Sequence, residues 1–348
     1  ENILYKHQHG FRPNKGTDVA LAMIYETIAT AQRDKHQVNV VARDVSKAFD
    51  KVWHHGLQFK IMTLTLPDIM EKSLCHFLVG RTARITLDGK IGPSFPLKSG
   101  VPQGSVISPT LYITYISDVP EPVLHTSCNI GFADDITQII TYPGRGREMM
   151  ARLTKGEIEN INQYEKQWKI QTNQGKFKIL KISNITGNEI IINNNIIDYS
   201  RSIVTLGLEI TRSGIATHIQ QRIGKARAVN NKLRRFSGLS IKIKLHLYKA
   251  LVLSVLEYPT VPLCIISKTS MLKLQRVQNQ CIKTITRTEE ENRNLTMKQL
   301  HEKYNMEPLN VRFWNRAKNI WEKLRTTNED LVQKSTEMNT QPGRDHYW

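Results

Sequence analysis

The chain has 348 residues, 40% of them hydrophobic, and its 49 Lys and Arg against 31 Asp and Glu give a net charge of +18. That length buries a substantial core and suggests two or three domains or subdomains, and the charge points to a polyanionic partner. Cys75, Cys128, Cys264 and Cys281 lie far apart without a C-x2-C pair, which argues against a zinc knuckle or a disulfide framework, and the longest largely apolar run, Ala250 to Leu256, is far short of the ~20 residues of a membrane span. A soluble protein in a reducing compartment is expected. The chain begins at Glu1, inside an already patterned segment, so a fragment or truncated copy is expected as well.

From the N-terminus, a polar loop from His9 to Thr17 precedes a helix predicted from Asp18 to about Asp34, with Thr17 or Asp18 as its N-cap. Val38 to Asp44 reads as a mostly apolar strand ending in a carboxylate. Helical patterns follow from Lys47 to about Leu64 and from Asp68 to Leu78, broken at Pro67. Arg84 to Leu87 and Ser94 to Leu97 read as strands around Asp88-Gly89-Lys90, a hairpin signal. The stretch Ser99 to Ser105 is too rich in Gly and Pro to be an element, and a helix from about Pro109 to Ile116 comes next. Beyond the Asp134-Asp135 doublet, Glu148 to Ile170 is a long amphipathic helix, and 176–183, 189–197 and 203–210 read as strands. From about 217 the pattern is helical to the end, with breaks near Ser237-Gly238 and at 286–295. The order gives an α+β layout, a sheet with helices on one face followed by an all-helical region.

Phe132-Ala133-Asp134-Asp135 places two adjacent carboxylates between apolar runs. Neighbouring side chains on a strand point to opposite faces, so a doublet that aims together needs a bend, most simply a hairpin tip. At about 4 Å and an effective dielectric near ~20, two such charges repel by about 4 kcal/mol, which a divalent cation reverses. A solvated Asp-Asp turn is the ordinary explanation of the doublet taken alone. Asp44, at a second strand end, shifts the balance, because oxygen-only ligands from two strand ends suit Mg²⁺ or Mn²⁺. Two such ions can clamp the attacking and leaving oxygens of a phosphoryl transfer, so polymerase or nuclease chemistry leads. Asp44 and Asp134 can meet only if their strands are neighbours in one sheet.

The positive charge is uneven. Between 210 and 285 there are fourteen Lys or Arg against one acid, Glu257. A basic helical face is usually just solvated, yet a surplus of this size points to nucleic-acid contact.

In this order the motifs resemble the reverse transcriptase domain of non-LTR (LINE-type) retrotransposons, most like the jockey group. Gln8-His9-Gly10-Phe11-Arg12-Pro13 is similar to the family's fingers motif, Asp44 to Asp50 with Val52-Trp53-His54 to its first catalytic motif, and Phe132 to Asp135 to its second. Gly100 to Ser105 with Ser108-Pro109 resembles the loop that contacts nucleotide and template. Asn173 with Lys176, and Leu206-Gly207, resemble the motifs that close the palm, and Leu247 to Tyr258 and Leu274 to Asn279 the thumb and post-thumb helices.

The resemblance implies a right-hand polymerase: partial fingers at 1–37, a palm with an antiparallel sheet at 38–210 carrying a fingers-like hairpin at about 81–100, a basic helical thumb at 211–285 and a C-terminal helical extension at 286–348. It implies an RNA template, a DNA primer or target DNA and deoxynucleoside triphosphates as partners, and residence in the nucleus. Asp44, Asp134 and Asp135 would hold two Mg²⁺ (or Mn²⁺) ions, and Lys176 would stand near the leaving pyrophosphate as an acid, or simply as a solvated strand-end lysine. Phe49 would lie under the incoming sugar and exclude a 2′-hydroxyl, although by spacing alone an aromatic on that helix is core. Arg12 and Lys15 would neutralise the triphosphate. Gln103 would lie against nucleotide or template, and Gly104 would permit close approach.

The chain departs from the family at Gly16, Phe177, Thr205 and Arg43. As the sequence neighbour of Asp44 on a strand, Arg43 is expected to point away from the carboxylates. Three readings follow: an active RNA-directed DNA polymerase; a remnant without the upstream endonuclease that binds nucleic acid but no longer polymerises; and another two-metal palm enzyme such as a nucleotidyl cyclase, which has no need of the basic helices.

Overall fold

The computed structural model describes residues 4–182, 189–192, 195–236, 238–260 and 266–326. The chain forms two compact units, residues 1–20 with 27–206, and residues 21–26 with 207–348.

Helix α1 (Thr17–Arg33) has Gly16 as its N-cap, in extended conformation and with its carbonyl accepting from the Ala20 N–H; neither Thr17 nor Asp18 caps it. Strand β1 (Gln37–Asp44) leads to α2 (His54–Met62) and α3 (Asp68–Leu78), the short strands β2 (Thr82–Ala83), β3 (Thr86–Leu87), β4 (Lys90–Ile91) and β5 (Phe95–Pro96), and α4 (Ser108–Tyr115). Then come the hairpin β6 (Cys128–Phe132) and β7 (Asp135–Tyr142), the long helix α5 (Arg147–Gln167), and strands β8 (Lys178–Lys181), β9 (Glu189–Ile192), β10 (Asn195–Ser200) and β11 (Ser202–Thr205).

The central sheet has the order β6-β7-β1-β8-β10-β9. β1 lies inside it, paired antiparallel with both β7 and β8, and its first five residues are buried. That two-sided burial explains its near-continuous apolar run. The sheet is not wholly antiparallel as expected, for β10 runs parallel to β8. The reason lies in the connection: β9 sits outside β10, so the chain goes out to the edge and returns alongside β8 in the same direction. α5 covers one face, burying Met150 and Ile158 on Val41, Ile140 and Ile179, each worth about 1.5–3 kcal/mol. Leu57, Ile61, Leu78, Leu111, Tyr115 and Trp168 form a second cluster from α2, α3, α4 and the end of α5.

Several expected boundaries shift. The helix predicted from Lys47 begins only at His54, because residues 45–52 form a turn whose carbonyls serve the glycine loop: Phe49 O accepts from Val101 N and Val52 O from Gly100 N, both at 2.8 Å. The predicted hairpin closes on Asp88-Gly89, both at positive φ, as β3 with β4 and, farther out, β2 with β5. The pattern at 189–197 resolves into β9 and the start of β10, and that at 203–210 is interrupted by Leu206-Gly207, both at positive φ.

In the second unit, β12 (Leu208–Thr211) precedes α6 (Ala216–Leu233); α7 (Ile241–Tyr248) continues through a π-helical stretch, Lys249–Leu253, to Ser254–Glu257. α8 (Lys268–Thr286), α9 (Met297–Lys303) and α10 (Leu309–Thr326) complete it. α8 buries Met271, Leu274, Gln278, Ile282 and Ile285 at helical spacing. The break predicted at 286–295 contains a 3-10 turn, Glu290–Asn292, and Thr296 with Gln299 forms a capping box for α9. Glu257 is buried, at 5% exposure, and its two carboxylate oxygens are taken by Arg312 and Arg316 of α10. The unit thus joins the regions expected as a thumb and a separate extension; residues 327–348 of that extension lie outside those described. Of the fourteen basic residues, twelve are exposed, Arg222 is half-buried and Lys244 is buried.

Among the described residues Cys75, Cys128 and Cys281 form no disulfide, while Cys264 lies outside the described residues. Among the described residues no helix is long and apolar enough to cross a membrane.

Candidate active site

β6 and β7 are joined at Ala133, which has φ +54, so Asp134 sits at the tip and Asp135 begins β7. β1 runs antiparallel beside β7 with Asp44 directly opposite Asp135. The strands therefore neighbour each other, as a shared site requires. Alternation places Asp44 and Asp135 on one face and Arg43 on the other. Arg43, 3% exposed, donates from Nε to Gln138 Oε1 (2.9 Å), from Nη1 to Asn162 Oδ1 (2.8 Å) and Glu165 Oε1 (3.2 Å), and from Nη2 to Ile158 O (2.9 Å). It fastens β1 to α5 and does not compete at the carboxylates. Of the departures from the resemblance, Phe177 lies under the Arg43 guanidinium at 5.2 Å, while the Thr205 hydroxyl pairs at 2.8 Å with that of Thr137, which alternation puts on the face of Asp135.

A cavity of about 640 Å³ opens on this face, lined among others by Asp44, Asp134, Phe49, Gln103, Asn173 and Lys176. Asn173 N donates to Asp44 O at 2.8 Å, and the turn it starts, with Lys176 N on Asn173 O at 3.0 Å, sets Lys176 beside Asp44. Lys176 Nζ then lies 2.9 Å from Asp44 Oδ1. Phe49 is on a turn, not on the expected helix, and is anchored through its own carbonyl to Val101 N. Its ring stacks on Tyr112 at 5.0 Å and 22°, and Phe11 meets it edge-on at 6.2 Å. Gln103 Nε2 donates to Asp50 Oδ1 at 2.9 Å.

The carboxylates repel and are partly withdrawn from water. Burial, before the charge of Asp44, raises the pKa of Asp134, opposed by its own backbone N–H and by Lys176. Asp135 is pushed up to about 6, first by burial, then by the charges of Asp134 and Asp44; Lys176 opposes this and a hydrogen bond with Asp44 adds to it. The Lys176 ammonium is raised through its hydrogen bond and charge contact with Asp44. Tyr112, buried with its hydroxyl unpartnered, is raised first by burial and then by all three carboxylates.

Among the described residues no group of three or more His, Cys, Asp or Glu side chains is arranged as a metal site. Lys176 is ion-paired with Asp44 there. The donors nevertheless fit a hard divalent cation, being all carboxylate oxygen, and the repulsion that raises Asp135 is what such a cation would relieve.

Arg12 and Lys15 bond main-chain carbonyls of their own segment. Arg12 Nη1 donates to Tyr5 O at 3.0 Å, with longer contacts to Lys6 O and Gln8 O at 3.4 Å, and Lys15 Nζ donates to Lys6 O at 2.6 Å. Neither lines the cavity, because both cations are directed at main-chain carbonyls of their own segment. Gly104 has φ +88 with no atom within 4 Å of where a Cβ would stand, so its backbone angle, not a close protein neighbour, asks for glycine. Tyr112 was not legible as a site residue, since it sits in the apolar run Leu111 to Ile116 and reads as core. Asp50, the partner of Gln103, carries no local signal of that pairing.

Residues 2–210 match the family described as Reverse transcriptase (RNA-dependent DNA polymerase). The chain is 28% identical over 341 residues to the RNA-directed DNA polymerase from mobile element jockey of Drosophila melanogaster, covering 88% of this chain and 36% of that protein. It is 29% identical over 308 residues to the probable RNA-directed DNA polymerase from transposon X-element of the same fly, covering 85% and 34%. The chain thus spans about a third of the length of these relatives. Among solved structures, apo telomerase from Candida tropicalis is similar with a TM-score of 0.43 and 12% identity, over 96% of this chain and 55% of that one.

Proposed function

Because the chain belongs to the reverse transcriptase (RNA-dependent DNA polymerase) family, we propose that it is the polymerising part of a non-LTR retrotransposon protein, extending a DNA primer on an RNA template. The sheet bearing Asp44 and the β6–β7 hairpin serves as palm, the short strands β2–β5 as part of the fingers, and the basic helices of the second unit as thumb. One observation carries the reading: Asp44, at the end of β1, and Asp134, at the tip of the neighbouring hairpin, line a single cavity with Phe49, Gln103 and Lys176.

Reverse transcriptases as a family use divalent metal ions, which neutralise phosphate charge and make a hydroxyl a better nucleophile. Asp44, Asp134 and Asp135 are the residues that would hold them, with Mg²⁺ or Mn²⁺ suited to the oxygen donors. Lys176, released from Asp44, carries its ammonium and an available proton toward the departing phosphate oxygens. The Phe49 ring, backed by Tyr112, fills the space that a 2′-hydroxyl would need. Gln103, fixed by Asp50, presents its amide to nucleotide or template. Exposed cations of the second unit, including Lys273, Arg276 and Lys283 along one face of α8, would neutralise backbone phosphates.

Extension of oligo(dT) on poly(rA) with Mg²⁺ or Mn²⁺ tests this. Product from the native chain that disappears in Asp134→Asn supports it, whereas RNA retention without product in either protein points to a binding remnant.

A further inference from the structure

The segment before the Arg12 loop has no role in the proposed chemistry, yet it is built into the hairpin that carries Asp134. Residues 5–10 run along β6 as an extra edge: His9 N donates to Gly131 O at 2.8 Å, Gly131 N to His7 O at 3.0 Å, and Gln8 forms a parallel bridge with Gly131. The Tyr5 hydroxyl adds a bond to Asn129 O at 2.7 Å. Gln8 itself is 2% exposed, and its side chain turns into the β6–β7 bend.

There its amide meets both main-chain groups of Ala133. Oε1 accepts from Ala133 N at 2.8 Å and from Gly10 N at 2.8 Å, while Nε2 donates to Ala133 O at 3.2 Å. Turned over, the amide would aim NH₂ at two N–H donors, so the partners fix its orientation. Glycine on either side makes the room. A Cβ on Gly10 would come within 2.3 Å of Ala133 N, and one on Gly131 within 3.1 Å of Gln8 Nε2.

Ala133 is a β-carbon residue in the left-handed region, a conformation costing roughly 1–2 kcal/mol that persists only where neighbours enforce it. It is also the residue from which Asp134 departs. We infer that Gln8 is a positioning residue for polymerisation: by gripping the Ala133 peptide at both ends it fixes the turn, and through the turn the direction of the Asp134 carboxylate. This rests on the proposed role of Asp134. Arg12 and Lys15, bonded to carbonyls of Tyr5, Lys6 and Gln8, brace the gripping segment.

The test is Gln8→Leu, which keeps most of the volume and removes every hydrogen bond. In oligo(dT)-primed extension its kcat falls about tenfold or more, while KM for the nucleotide stays within about twofold, since the side chain is remote from the substrate but misdirects a reacting group. Independently of activity, hydrogen exchange at the Ala133 amide accelerates at least about tenfold in Gln8→Leu. Wild-type turnover together with native Ala133 protection in that variant overturns the inference. Should Gln8→Leu not fold, Gly131→Ala presses on Nε2 without removing the amide, and an unchanged kcat and exchange rate there overturns it equally. If the native chain gives no product, or Asp134→Asn loses none, the proposed function fails instead, and the exchange measurement alone decides whether Gln8 holds the turn.

Discussion

Asp44 and Asp135 stand directly opposite each other in the β1–β7 ladder, on the face away from Arg43, where burial and then the charges of Asp134 and Asp44 push the Asp135 carboxyl up. A carboxyl so placed holds its proton more tightly in the fold than in the open chain. Asp135, pushed up to about 6 against ~3.9 unfolded, therefore stabilises the metal-free protein fully below about pH 4. That contribution is lost as pH rises through about 6. In chelator, stability should fall by about 2 kcal/mol between these limits relative to Asp135→Asn, and added Mg²⁺ should restore it. Parallel pH profiles of the two proteins in thermal unfolding would contradict this.

Lys176 and a divalent cation compete for Asp44 Oδ1. Lys176→Met should thus tighten Mn²⁺ binding by about threefold to tenfold, read by calorimetry on the protein alone, while nucleotide incorporation slows. Weaker Mn²⁺ binding in the variant would show instead that the lysine assists the site.

Arg43 is buried with four hydrogen bonds, of which the one to Glu165 is also an ion pair. Arg43→Met leaves Glu165 and Gln138 facing an apolar side chain, and the expected loss is about 3–5 kcal/mol in denaturant unfolding. A loss below about 1 kcal/mol would mean that water replaces the guanidinium.

Gly100 and Gly104 share φ +88 but differ in surroundings: a Cβ on Gly100 would stand 2.7 Å from Asp50 O, and one on Gly104 would meet nothing. Gly104→Ala should cost about 1–2 kcal/mol from the dihedral alone. Gly100→Ala should cost at least about 3 kcal/mol, since backbone must move, and should loosen the Phe49 turn that Val101 holds. Equal losses in the two variants would contradict the steric argument.

Sequence reasoning reached the carboxylates because strand periodicity and the hairpin doublet are local signals: β1 ends at Asp44 and the bend falls at Ala133 as the pattern requires. It misplaced the start of α2 because the carbonyls of Phe49 and Val52 are claimed by a loop fifty residues on, which no local propensity encodes. Arg12 and Lys15 illustrate the same limit. Their charges suit a triphosphate, and nothing local in the sequence signals that in the fold they bond carbonyls of Tyr5, Lys6 and Gln8. Conversely, the direction of Arg43 followed from alternation alone, while its partners on α5 are more than a hundred positions away and could not.

Glu257, the lone acid of a stretch with fourteen cations, sets a lower bound on how far the second unit can be shortened. Any deletion that removes Arg312 and Arg316 strands a buried carboxylate at the end of the Ser254–Glu257 stretch without its two cations. Helix α10 is therefore no detachable appendix, and a minimal version of this unit has to extend past Arg316 or replace Glu257 by an uncharged residue.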